Sequence, residues 1–380
     1  MTAFNEPGIA WAMEPWDLYQ SILGAPNAPF LSTFMVDARI QATKRIDPTK
    51  VIADAQRQIA KAPDGKVSVM DGAAKLFADG AIISQLIHMR DPFLDEHGEP
   101  NPHHHGEWIM EPEELERYFQ VYWDAGWQVH THVNGDAGLD VVLDIIERCQ
   151  IRFPRADHRS VLVHFGTSNE DQVSRIARLG AIVSSNPYYP CAFVDKFSQV
   201  GLGPARADVM ARNRSVVDAH VSLSLHSDLP MAPSSPLKLA SFAVNRRTQS
   251  GCIAGPEQRL TVDQALRAVT IDAAYSWHRE LDLGSITPGK FATFTVLGVD
   301  PYLVDPEDHG PIVVRGVVFQ GDWVPVPDVA AGVGGVSASN DPMITPLGLA
   351  GRVGHIDAGC SCDIAQHLAA AFRDLSRRAA

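Results

Sequence analysis

Much is missing from this sequence, and each absence excludes a class of protein. No apolar run approaches the roughly 20 residues of a membrane span. The first 19 residues mix acids, prolines and aromatics. They hold no basic stretch followed by an apolar one, so no signal peptide is expected. Cysteine is sparse and odd in number, with 5 in 380 residues, which fits reduced thiols in a cytoplasm and not a disulfide framework. Two of these, Cys360 and Cys362, have no other cysteine nearby and read as exposed thiols in preference to a metal clip. Basic residues are outnumbered, giving a net charge of −13. Phosphates would be repelled, which argues against nucleic acid or an anionic membrane as a partner. A glycine-rich phosphate turn is lacking, as is a G-x-S-x-G elbow, so neither a dinucleotide fold nor a triad hydrolase is supported. Histidine is absent from everything before His88.

What is present alternates. Residues 74–78, 128–133, 160–165, 181–185 and 220–225 are short apolar runs, several of them β-branched, and read as buried strands. Residues 2–4 and 30–36 are candidate earlier strands, making seven before residue 230. Helical patterns lie between them. Pro112 suits a first helical turn and Gly126 the stop. Ser168-Asn-Glu-Asp171 and Thr261-Val-Asp-Gln264 have the form of capping boxes. Strand–helix alternation of this kind implies a parallel sheet.

Lys75, His132, His164 and Asp228 each fall at or just past the C-terminal end of such a strand. Barrel enzymes assemble their sites from several strands at that end, which favours a closed barrel over a doubly wound sheet. A lysine inside an apolar run is paired, deprotonated or modified, because burying an ammonium is costly. It could instead reach a strand end or pair with Asp79. His130 and His132 share one face of their strand, about 7 Å apart, and His132 lies nearer the mouth. Neutral imidazoles suit zinc. A carboxylate at a strand exit, as at Asp228, can hold a water and take its proton. Each residue alone has an ordinary structural reading; the set of four ending successive strands points to a metal site. The triplet His103-His104-His105 lies in a proline- and glycine-bounded loop and reads as a solvated or substrate-side loop.

At these residues the chain resembles the amidohydrolase superfamily, in its N-substituted formamide deformylase-like branch. The pieces are Lys75-Leu-Phe-Ala-Asp-Gly80, Thr131-His-Val-Asn-Gly-Asp136, Val163-His164, Ser227-Asp-Leu-Pro230, Gln258-Arg-Leu-Thr-Val-Asp-Gln-Ala-Leu266 and Gly284-Ser-Ile-Thr-Pro-Gly-Lys290. The resemblance implies an α/β fold, a TIM-like (β/α)8 barrel with a small β-sandwich. Here that barrel is incomplete, at about seven strands, and only the C-terminal part of the sandwich is expected. It also implies a carbamylated Lys75 bridging one or two divalent metal ions, zinc by preference. His132 and His164 would be ligands, and Asp228 both ligand and proton shuttle. The implied reaction is hydrolysis of non-peptide C–N bonds in small N-substituted amides or formamides. Deaminase-type members place a glutamate three residues after the strand-five histidine; here Gly135 stands there, which favours amide hydrolysis.

Two departures accompany the resemblance. His226 occupies a position that is commonly glycine before Ser-Asp. The early H-x-H of the family, which binds the first metal, has no counterpart ahead of Lys75. Three expectations follow: a truncated reading of a longer protein or a decayed enzyme that only binds; a chain complemented at its open barrel edge by a separate N-terminal fragment, or paired in a homo-oligomer; or an enzyme that binds one metal through Lys75, His132 and His164 with reduced activity. The domains expected are 1–283 for the barrel, 284–325 for the sandwich segment and 326–380 for a linker and helical tail.

Overall fold

A computed structural model of the chain describes residues 1–7, 16–306 and 312–326. The expected linker and helix beyond Val326, with Cys360 and Cys362, lie outside the described residues.

Seven strands form one parallel sheet in strict sequence order: β1 Ala3–Glu6, β2 Leu31–Asp37, β3 Val67–Phe77, β4 Gln128–Val133, β5 Val161–His164, β6 Ile182–Ser185 and β7 Leu223–Leu225. Helices connect them, including Pro112–Asp124, Asp136–Arg152 and Glu170–Leu179. The sheet curls as a barrel does but does not close. Among the described residues β1 bonds only to β2, and β7 only to β6. The expected seven-stranded incomplete barrel is what the chain forms. A second, antiparallel sheet follows, ordered β10-β9-β8, from β8 Phe294–Leu297, β9 Val314–Phe319 and β10 Asp322–Pro325.

Side-chain alternation sorts the core into layers. Phe34, Val36, Ala74, Leu76, Val129, Val133, Leu162, Val183, Leu223 and Leu225 face the helices and join the main apolar cluster. Leu31, Met35 and Ala73 face inward and meet Trp277 and Phe319, while Val161, Val163 and Ile182 fill the floor beside them. A separate cluster of Ile82, Ile87, Met89, Phe93, Tyr189, Phe193, Phe197, Leu202 and Met210 is built by the loops and short helices at the C-terminal rim.

Local signals are met with small shifts. Gly180 ends its helix in a left-handed conformation at φ 76°, where a Cβ would be strained. The Thr261–Gln264 capping box forms as written, whereas the other uses Asn169 and Gln172, one residue later than read. The strand expected from residue 220 begins at Leu223. The amides of His220 and Val221 are used by Val217 and Val216 to finish the preceding helix, Asn213–Asp218. His104 and His105 are tied into their loop, through Gln85 and Met89 carbonyls, and His104 stacks on Phe93. Only His103 of the triplet is exposed.

Candidate active site

Lys75 sits on the inner face of β3 at 3 % exposure, in register with Asp37 on one side and His130 on the other. Burial pushes its ammonium down to about 7, against the opposing pull of the Asp228, Asp37 and Glu6 carboxylates. Asp79 is not its partner. That fully buried carboxylate turns away and accepts the backbone N–H groups of His88, Asn134 and Gly135 at 2.9, 2.9 and 2.6 Å. Burial raises it to about 7 even so.

His132 lies two residues up β4 from His130, at the mouth. Its Nε2 is 3.2 Å from the Gly80 carbonyl, which can only accept. The Asn134 side-chain nitrogen is also 3.2 Å from this Nε2, so Nε2 is engaged on that side, either donating to the carbonyl or accepting from the amide. Burial lowers the imidazole to about 3, with Lys75 adding to the effect. One layer deeper, His130 is likewise held near 3 by burial, and its Nε2 is buried without a hydrogen-bond partner.

Simple alternation would point His164 outward, since its register partner is Val133. A left-handed backbone at φ 81° breaks the alternation and turns the ring to within 4.4 Å of His132 between centroids. Such a conformation in a non-glycine residue costs on the order of 1–3 kcal/mol. Its Nδ1 is 3.1 Å from His226 Nε2, 3.4 Å from the Tyr189 hydroxyl and 3.8 Å from an Asp228 oxygen. Burial holds His164 well below the ordinary histidine range. Asp228 follows β7, also left-handed at φ 50°, with its side chain 48 % exposed. Partial desolvation raises its carboxyl and Lys75 lowers it.

The four residues expected from the sequence thus come from β3, β4, β5 and the β7 exit and gather at one rim. Among the described residues no three His, Cys, Asp or Glu side chains stand in a finished metal-binding arrangement. The donors nevertheless fit a divalent metal in kind. Buried imidazoles kept neutral, one with its second nitrogen engaged by neighbouring polar groups, are what a borderline metal requires. Sequence reading missed Glu6, Asp37 and Tyr189 and did not join His226 to the group. Glu6 and Asp37 end β1 and β2, so the strand-end signal used for Lys75 would have found both.

A family model described as "Amidohydrolase family" matches residues 2–325. The chain is 26 % identical over 260 residues to the putative amidohydrolase YtcJ of Bacillus subtilis, covering 67 % of this chain and 47 % of that protein. It is 30 % identical over 230 residues to an N-substituted formamide deformylase of Arthrobacter pascens, covering 60 % and 41 %. The chain therefore spans less than half the length of these relatives. Among solved structures, a metal-dependent hydrolase from Pyrococcus horikoshii aligns with a TM-score of 0.59 at 20 % identity, over 80 % of this chain and 56 % of that one. A second, from Pyrococcus furiosus, gives 0.56 at 21 %, over 76 % and 54 %. These two likenesses bear on the fold.

Proposed function

The chain belongs to the amidohydrolase family, and from that premise we propose that it hydrolyses the C–N bond of small N-substituted amides or formamides in a cytoplasm, with one or two zinc ions. The observation that carries this is the meeting of Lys75, His132, His164 and Asp228 at one barrel rim from separate strands.

Lys75, His132, His164 and Asp228 would hold the metal. When bound, it would polarise the substrate carbonyl and acidify a water, lowering both barriers. The protein's own groups do the rest. A Lys75 amine near 7 is substantially neutral at physiological pH, so it can add carbon dioxide: an N–C bond forms, a proton leaves to solvent, and an anionic oxygen donor results. The half-exposed Asp228 carboxylate accepts a proton from water as the water oxygen bonds to the carbonyl carbon. It then returns that proton to the nitrogen as the C–N bond breaks. His132 would face the metal through Nδ1, its Nε2 being engaged by the Gly80 carbonyl and the Asn134 amide. Position 135 cannot supply a deaminase-type glutamate: a Cβ on Gly135 would lie 2.0 Å from the His88 carbonyl oxygen.

The test is metal content and hydrolysis of an N-substituted formamide, with and without added zinc. Wild type should bind at least about one zinc per chain, and a His132→Ala, His164→Ala double variant should lose both metal and turnover. A wild-type chain that takes up no zinc, or a double variant with unchanged content, overturns the reading.

Among the described residues β1 and β7 are paired on one side only, which favours a second reading, in which a further strand from a partner chain docks between them and turnover depends on it. Such activity would rise more steeply than linearly with protein concentration.

A further inference from the structure

His226 has a place in this centre that the four expected ligands leave unexplained. It is the residue after β7 and faces inward, two positions beyond Ser224. Its Nε2 is 3.1 Å from His164 Nδ1. The two nitrogens are at hydrogen-bond distance, and the rings lie edge to face, at 75° with centroids 4.9 Å apart. Two imidazoles sharing one tetrahedral zinc at 2.0–2.1 Å bring their nitrogens about 3.3 Å apart. The observed spacing is close to that. The opposite nitrogen, Nδ1, is 3.0 Å from Ser184 Oγ. If that nitrogen carries the proton, the serine oxygen accepts it and Nε2 keeps the lone pair, which is how an outer partner fixes a metal-binding imidazole. On the third side, an Asp228 oxygen is 3.8 Å from His164 Nδ1.

We propose that His226 is itself a metal ligand, its Nε2 sharing one divalent ion with His164 Nδ1 and the Asp228 carboxylate. The Asp228 carboxylate would have to turn toward the two nitrogens to close the set. Two imidazoles and one carboxylate leave positions open for water and substrate, and suit zinc. This would give the chain a working centre for a single ion using residues from the exits of β5 and β7, with Ser184 on the intervening β6.

The inference rests on the metal-dependent reading above, and the experiment separates the two. Zinc affinity is measured by chelator competition, and the number of imidazoles around bound zinc by X-ray absorption, for wild type, His226→Asn and His226→Gln. Two variants are used so that a failure of either to fold does not end the test, and circular dichroism reports folding. The expected result is one imidazole fewer in either folded variant, with affinity reduced at least about 100-fold. Ser184→Ala should keep the imidazole number and lose affinity about 10-fold. An unchanged imidazole number in a folded His226 variant overturns the proposal, even with weaker binding, because His226 would then only orient His164. Wild-type protein that binds no zinc overturns the metal-dependent reading and this proposal together.

Discussion

A histidine far from the mouth shows how burial becomes pH dependence. His158, 1 % exposed, has Nδ1 accepting the Ser160 N–H at 3.0 Å. The proton must therefore sit on Nε2, which donates to the Leu179 carbonyl at 2.8 Å. Protonating Nδ1 would break the Ser160 bond, and burial already holds the imidazole below its ordinary value. Folded His158 thus takes up a proton at lower pH than the unfolded chain does near 6.5. Its neutral form costs nothing above that pH. Stability falls as pH drops below it, by at most about 1.4 kcal/mol per pH unit from this one group. Urea unfolding between pH 7 and 5 should show a flatter decline in His158→Gln than in wild type; equal slopes would mean that His158 does not contribute. At this scale the sequence was informative where a polar residue ended an apolar run, as at Lys75, His132, His164 and Asp228. It was silent on the backbone that turns His164 inward, because a φ of 81° in a histidine leaves no mark in composition or period.

At the scale of elements, Asp79 fastens the exit of β3 to the exit of β4. Its carboxylate takes the Asn134 and Gly135 amides from one strand end and His88 from the rim loop. Asp79→Ala would strand three buried donors and should cost about 3 kcal/mol or more in urea unfolding. Wild-type-like stability would show that water replaces the carboxylate. Gly135 makes the reverse point. An added methyl would meet the His88 carbonyl at 2.0 Å, so Gly135→Ala should destabilise by about 1–3 kcal/mol, read as a lower melting temperature. The strand ends and caps were readable because apolar runs and capping residues are local. The first half of β3, Val67–Ala73, was not: it mixes Ser68, Asp71 and Gly72 into the run, and it is a strand because β2 pairs with it.

For the whole molecule, the order of strands followed from their alternation with helices, and the failure of the sheet to close followed from counting them. What counting could not give is how the two edges behave. Among the described residues, β1 and β7 each carry a ladder on one side only. If nothing covers them in solution, their outward amides should exchange with deuterium at least about 10-fold faster than those of β3–β5. Equal protection would mean that another strand occupies both edges, as the second functional reading requires.

The apolar cluster around Ile87, Phe93, Tyr189 and Phe197 is distinct from the one beneath the sheet. Substitutions in two such cores, sharing no partners, should add in their effects on stability. Divergence has therefore been given two registers to work in. The rim can be rebuilt at a stability cost confined to its own packing, while the strands that carry Lys75, His132 and His164 keep theirs. Under the proposed function, a lineage of such chains can change what it cleaves many times over without having to reinvent how it cleaves.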